Sequence, residues 1–170
     1  YSVACHLGAS DGCIALAVSH QLGRGVPEDI QLARTYLKKA CDSGAQDGCF
    51  KLAATYGGIG PAEAAEPTKA LGLYEECCAA GHNGCCFAAG EYHRIGRGTS
   101  VDLERSLTFF QHACAQEDVM SCLRAAALRE RELGVTKGLH DRARRLAEER
   151  CKQDDGIACW HLAVIFEEGI

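Results

Sequence analysis

The sequence holds one methionine, one tryptophan and three prolines in 170 residues, and aromatics make up only 6% of it. So few aromatics beside so much alanine argue against a β-sandwich, whose packed faces need large side chains, and favour closely packed helices. No run of about 18 apolar residues occurs, which excludes a membrane-spanning helix. An excess of positive charge is missing as well. The formal net charge is −5, so no broad basic face is available for a phosphate backbone. Cys-x-x-Cys is absent, which removes the zinc knuckle and the thioredoxin-type redox motif. At 47% hydrophobic and 24% charged, the chain does not have a disordered composition.

Cysteine is abundant: 12 residues, at positions that repeat. They form pairs eight apart: Cys5/Cys13, Cys41/Cys49, Cys78/Cys86, Cys114/Cys122 and Cys151/Cys159, with Cys77/Cys85 one residue ahead of the third. The first members advance by 36, 37, 36 and 37 residues, and a fixed period in this range marks a repeat architecture. The other residues keep the same period. The segments Cys13-Ile14-Ala15-Leu16-Ala17, Cys49-Phe50-Lys51-Leu52-Ala53 and Cys159-Trp160-His161-Leu162-Ala163 open one helix per unit, with Ala or Gly fifth, where a neighbouring helix can come close. Glycine-rich turns follow at Gly23/Gly25, Gly57/Gly58/Gly60 and Gly96/Gly98. A second helix then leads to the next cysteine. Asp29 and Asp102 stand where its N-cap belongs, and Leu32, Ala33, Tyr36, Leu37 and Ala40 form one apolar face.

The expected fold is therefore all-α: an α/α solenoid of four to five helix-turn-helix units of 36–37 residues, related to tetratricopeptide arrays. The units are 13–48, 49–85, 86–121, 122–158 and a partial 159–170. Two are irregular. An insertion runs from Pro61 to Pro67, and the fourth unit has Gly134 and Gly138 instead of a Gly-x-Gly turn. Both ends fall mid-unit without a polar capping repeat, so residues 1–170 read as a single solenoid cut from a longer one.

In each pair one cysteine ends a second helix and the other starts the next first helix, so their Cβ atoms can meet across the hairpin. The even count and even spacing point to structural disulfides: Cys5–Cys13, Cys41–Cys49, Cys78–Cys86, Cys114–Cys122 and Cys151–Cys159. Each would close a loop of about nine residues, for which roughly 2.5 kcal/mol is an upper figure. Cys77–Cys85 is read as a sixth bridge. The alternative at that pair is free thiols or a local metal site with His82, because its members shift in opposite directions along antiparallel helices. No metal and no cofactor is otherwise expected. Disulfides persist outside the cytosol, so the expected compartment is a periplasm or the cell exterior, with the mitochondrial intermembrane space as the alternative.

The run from Gly23-Arg24-Gly25-Val26-Pro27-Glu28-Asp29 through Leu32-Ala33, Tyr36-Leu37 and Ala40-Cys41 to Gly44 closely resembles a Sel1-like repeat, an α/α solenoid family. The cysteine pairs resemble those of the Helicobacter cysteine-rich protein subfamily. The resemblance covers nearly the whole chain. It is best in the Cys13–Cys41 and Cys86–Cys114 units and weaker in the two irregular ones. It implies a protein-interaction or assembly role, and the subfamily is also associated with penicillin binding and weak β-lactamase activity. That second implication lacks its chemistry here: none of the serines opens a Ser-x-x-Lys motif, and Lys-Thr-Gly, Gly-x-Ser-x-Gly and His-Glu-x-x-His are all absent.

A solenoid binds along its concave face, lined by the first helix of each pair. The positions two, five and six after the second cysteine vary most, and from them Lys51, Glu91, Tyr92, Arg124 and His161 are taken to form a groove for a peptide or protein partner, with no role for nucleic acid. His20 and His93 share a position with Tyr56 and Phe166 and read as packing residues. His6, His82, His112 and His140 read as solvated surface, as does the basic stretch 142–152, which also carries Glu148 and Glu149.

Overall fold

The computed structural model describes residues 1–58, 65–133 and 137–168. All regular structure among the described residues is helical: α1 (Ser2–His6), α2 (Ser10–Leu22), α3 (Ile30–Asp42), α4 (Gln46–Tyr56), α5 (Pro67–Ala79), α6 (Asn83–Ile95), α7 (Leu103–Ala115), α8 (Val119–Leu133), α9 (Lys137–Cys151) and α10 (Gly156–Glu168). Each helix packs mainly on its neighbours in sequence, so the core is a string of small clusters rather than one centre. This is the helix-hairpin solenoid that the period requires.

The sequence signals act where they were read. Asp29 caps α3 by accepting from Leu32 N at 2.9 Å, and Asp102 caps α7 by accepting from Arg105 N at 2.9 Å. The Asp29 N–H donates to the His20 carbonyl and the Asp102 N–H to the His93 carbonyl, tying each second helix to the end of the first. Ala33, Leu37 and Ala40 bury the apolar face of α3. At the fourth position after the cysteine, Ala17, Ala53, Gly90 and Ala126 are all buried. The insertion begins outside the described residues, which resume at Ala65, as does Gly134. Gly138 is not a turn residue: it lies in the first turn of α9.

All six cysteine pairs stand at bonding distance, with sulfurs 1.98–2.13 Å apart. In the five regular pairs the Cα atoms are 4.5–4.6 Å apart. Cys77 and Cys85 have Cα atoms 5.7 Å apart, as their offset along the helices demands. Their positions explain how a second bridge fits. In the first two hairpins the corresponding residues are Ala4/Gly12 and Ala40/Gly48, where a Cβ built on the glycine would lie 2.7 and 2.8 Å from the alanine Cβ. The third hairpin places cysteines at these positions instead of alanine and glycine.

Candidate binding face and the doubled disulfide

The five candidate residues do not share one environment. Lys51 on α4 and Arg124 on α8 are exposed, as position two of the first helix requires. Glu91 on α6 is brought to Arg124 across the unit boundary, with Oε1 3.3 Å from the arginine Nε, while its Oε2 holds Arg94 at 2.6 Å. Hydrogen bonding to Glu91 raises the pKa of Arg94. His161 on α10 is half-buried, with its ring 5.2 Å from that of Trp160. It lines a cleft of about 210 Å³ with Asp118, Arg150 and Asp155. That volume suits a side chain better than a small-molecule ligand, which takes roughly 300 Å³ or more.

Tyr92 corrects the sequence reading. Position six after the cysteine is buried in four of the five helices, at Thr55, Tyr92, Leu128 and Ile165, and half-buried at Ser19. Tyr92 meets Tyr74 edge to face at 5.3 Å, and Gly57 leaves the space its hydroxyl occupies. Burial pushes the phenols of both tyrosines up. The variation at this position reflects packing between units, and the side chain does not open onto the first-helix face. Of the five candidates, Lys51, Glu91, Arg124 and His161 are the ones not buried.

His93 packs as its repeat position suggests. It is 1% exposed and its ring stacks on Phe109 at 5.5 Å, with Nε2 2.7 Å from Glu75 Oε1. His20 stacks on Tyr36 at 5.8 Å. His82 was expected at the surface and is instead half-buried beside the doubled disulfide. Its Nδ1 accepts from Cys85 N at 3.2 Å, capping α6, and its Nε2 faces Asp47 Oδ1 at 3.2 Å. The sequence signal was its place four residues after Cys78 and three before Cys85, an N-cap slot that a histidine rarely takes. Trp160, 60% exposed beside His161, was also missed, because its segment reads as core helix.

The helix-pair period and the capped hairpins decide the family. A model of the Sel1 repeat matches residues 10–44, 46–82 and 84–118. The chain belongs to the Sel1 repeat family. No curated protein matches it closely enough to be counted a relative. Among solved structures, this Sel1 repeat chain is similar to c5321, a protective antigen of uropathogenic Escherichia coli with an SLR fold. The TM-score is 0.71 at 21% identity, covering 98% of this chain and 35% of that one. It therefore spans about a third of that antigen's length. A Sel1 repeat protein from Oxalobacter formigenes is similar with TM-score 0.59 and 19% identity over 73% of this chain and 92% of that one. Helicobacter pylori cysteine-rich protein B is similar with TM-score 0.52 and 25% identity over 70% of this chain and 84% of that one. The matched Sel1 repeats end at residue 118, so Lys51 and Glu91 lie inside them, while Arg124 and His161 lie on the hairpins beyond.

Proposed function

We propose that this Sel1 repeat chain is a non-enzymatic interaction or assembly scaffold working in an oxidising compartment. It binds a peptide or protein on the concave face lined by its first helices. The observation that carries this reading is the row of unburied polar side chains on successive first helices: Lys51, the Glu91–Arg124 pair and His161. Charges on a shared face give register and specificity to an extended partner. Residues 1–170 act in this reading as one solenoid of the units 13–48, 49–85, 86–121, 122–158 and 159–170. The oxidising compartment, periplasmic or extracellular, is supported by twelve cysteines all paired at bonding distance. The mitochondrial intermembrane space satisfies the same requirement.

Crosslinking capture from the native source tests the reading. The wild-type chain and a Lys51→Ala/Arg124→Ala/His161→Ala variant are compared, with circular dichroism to check the fold. The expected result is a partner retained by the wild type and bound about 10- to 100-fold more weakly by the variant, as the loss of a few charged contacts implies. Equal retention would overturn the assignment of the face. Nitrocefin turnover by the purified chain would overturn the non-enzymatic reading in favour of a penicillin-binding protein with weak β-lactamase activity. Among the described residues, no serine hydroxyl hydrogen-bonds to a lysine or a histidine.

A further inference from the structure

Two disulfides, Cys77–Cys85 and Cys78–Cys86, close the same hairpin. Cys78–Cys86 occupies the position held by the bridge in every other unit. Once it has formed, the second bridge closes a loop that is already closed, and it removes little further freedom from the unfolded chain. A bridge that adds little to folding gains little protection from it, so Cys77–Cys85 is the one whose opening the fold tolerates best. Cys77 Sγ lies 3.8 Å from the Gln46 carbonyl, and Gln46 lines an open cleft with Asp11, Gly44, Asp47 and His82. Cys77 and Cys85 are themselves buried behind this cleft, so a reductant reaches them from the side that Gln46 and His82 line, as the hairpin breathes.

A histidine stands beside the pair. A ring nitrogen of His82 and the sulfurs of Cys77 and Cys85 all lie within 4.8 Å of one another. The hydrogen bonds around the ring fix its tautomer. Nδ1 accepts from Cys85 N at 3.2 Å and so carries no proton, while the Nε2 proton points to Asp47 Oδ1 at 3.2 Å. An imidazole beside two sulfurs, with its N–H held by a carboxylate, matches the carboxylate–histidine arrangement of zinc sites. Among the described residues, the two doubled bridges alone have a histidine this close to both sulfurs. The second triad, Cys78, Cys86 and His112, uses the structural bridge and an exposed histidine that pairs with no carboxylate among the described residues.

We propose that Cys77, His82 and Cys85 form a redox-gated site for a thiophilic divalent cation such as Zn²⁺. In the oxidised state the disulfide closes it. A dithiol reductant opens it: one thiolate of the reductant attacks a sulfur of the bridge, and its second thiol resolves the mixed disulfide. The two electrons come from the reductant, which leaves as its own disulfide, and Cys77 and Cys85 become thiols. The cation then binds both sulfurs, releasing their two protons, and takes the lone pair of His82 Nδ1 in place of the Cys85 N–H. Water completes the tetrahedron. Cys78–Cys86 keeps the hairpin closed throughout, so the site forms on a folded frame.

The test uses the full chain with Co²⁺ as the probe. In denaturant without reductant, no free thiol is expected. Graded reduction with a small dithiol, followed by alkylation and mass spectrometry, is expected to label Cys77 and Cys85 first. After removal of the reductant under nitrogen, the chain is expected to bind one Co²⁺ with thiolate-to-cobalt charge-transfer absorption. His82→Ala and Asp47→Ala should each weaken binding at least about 10-fold. His112→Ala should leave it unchanged, and Cys77→Ser/Cys85→Ser should abolish the absorption while keeping the helical circular dichroism. First labelling at any other pair, binding without a thiolate band, an undiminished His82→Ala, or sensitivity to His112→Ala would each overturn the proposal.

Discussion

Ala40 and Gly48 face each other across the Cys41–Cys49 hairpin so closely that a Cβ on Gly48 would stand 2.8 Å from that of Ala40. Backbone atoms of the same stretch, Cys41 N at 3.0 Å and the Ala40 carbonyl carbon at 3.1 Å, leave no way to yield. Gly48→Ala gains about 1 kcal/mol in helix propensity but overpacks the hairpin by about 1–3 kcal/mol. A net loss of about 1 kcal/mol is expected, lowering the melting temperature by about 2–4 °C. Gly72, mid-helix in α5 with nothing near its missing Cβ, is the control. Gly72→Ala should stabilise by about 0.5–1 kcal/mol, and a shift of equal sign in both variants would refute the close contact.

The links between units repeat a left-handed backbone position. Gly8, Gly44 and Gly81 hold it at φ 89°, 89° and 95°, and the same place carries Glu117 at 67° and Asp154 at 63°. A glutamate has neither the freedom of glycine nor the local hydrogen bonding of a short acidic side chain in that region. Glu117→Gly is expected to stabilise by about 0.5–1 kcal/mol in thermal melts, and Asp154→Gly by less. No gain from Glu117→Gly would show that the link relaxes without strain.

Buried His93 tests how much a polar core residue contributes. His93→Ala opens a cavity beneath Phe109 and should cost about 2–4 kcal/mol. His93→Phe keeps the stacked ring and loses the 2.7 Å bond to Glu75. It also removes the buried Nδ1, which has no hydrogen-bond partner. Its net cost should stay below about 1 kcal/mol, because removing an unsatisfied atom offsets the lost bond. Chemical denaturation separates the two, and equal losses would mean that the hydrogen bond rather than the ring holds this place.

Asp155 sets an acid limit. The Ala158 N–H, 3.1 Å from Oδ1, lowers its pKa, with Arg150 at 2.7 Å adding to the effect. A carboxyl whose pKa falls on folding stabilises the fold fully above its unfolded value, about 3.9, and loses that contribution as pH falls through the folded value. Melting temperatures of the wild type and Asp155→Asn should differ at pH 7 and converge as the pH falls below the unfolded carboxyl value and through the lower folded one. A gap that persists in acid would show that the carboxylate charge is not what caps α10.

The 36–37-residue period, the capped helix pairs and the cysteine pairing were legible in the sequence, because each rests on local spacing. Asp29 and Asp102 cap within three residues, and a disulfide eight residues long spans one hairpin. Contacts between units are another matter. A position that varies among repeats looks the same in sequence whether it faces solvent or a differently shaped neighbour, and only the packing of α6 on α5 and α7 put Tyr92 in the core. The pairing of Glu91 with Arg124 depends equally on how α6 and α8 lie in space. So does the placement of His82, which joins Asp47 from the preceding unit to a disulfide of its own. The sequence by itself determined the unit and its staple, through interactions that close within one hairpin. The tertiary structure decided which side chains remain available to a partner, because that depends on surfaces contributed by units some 36 residues apart.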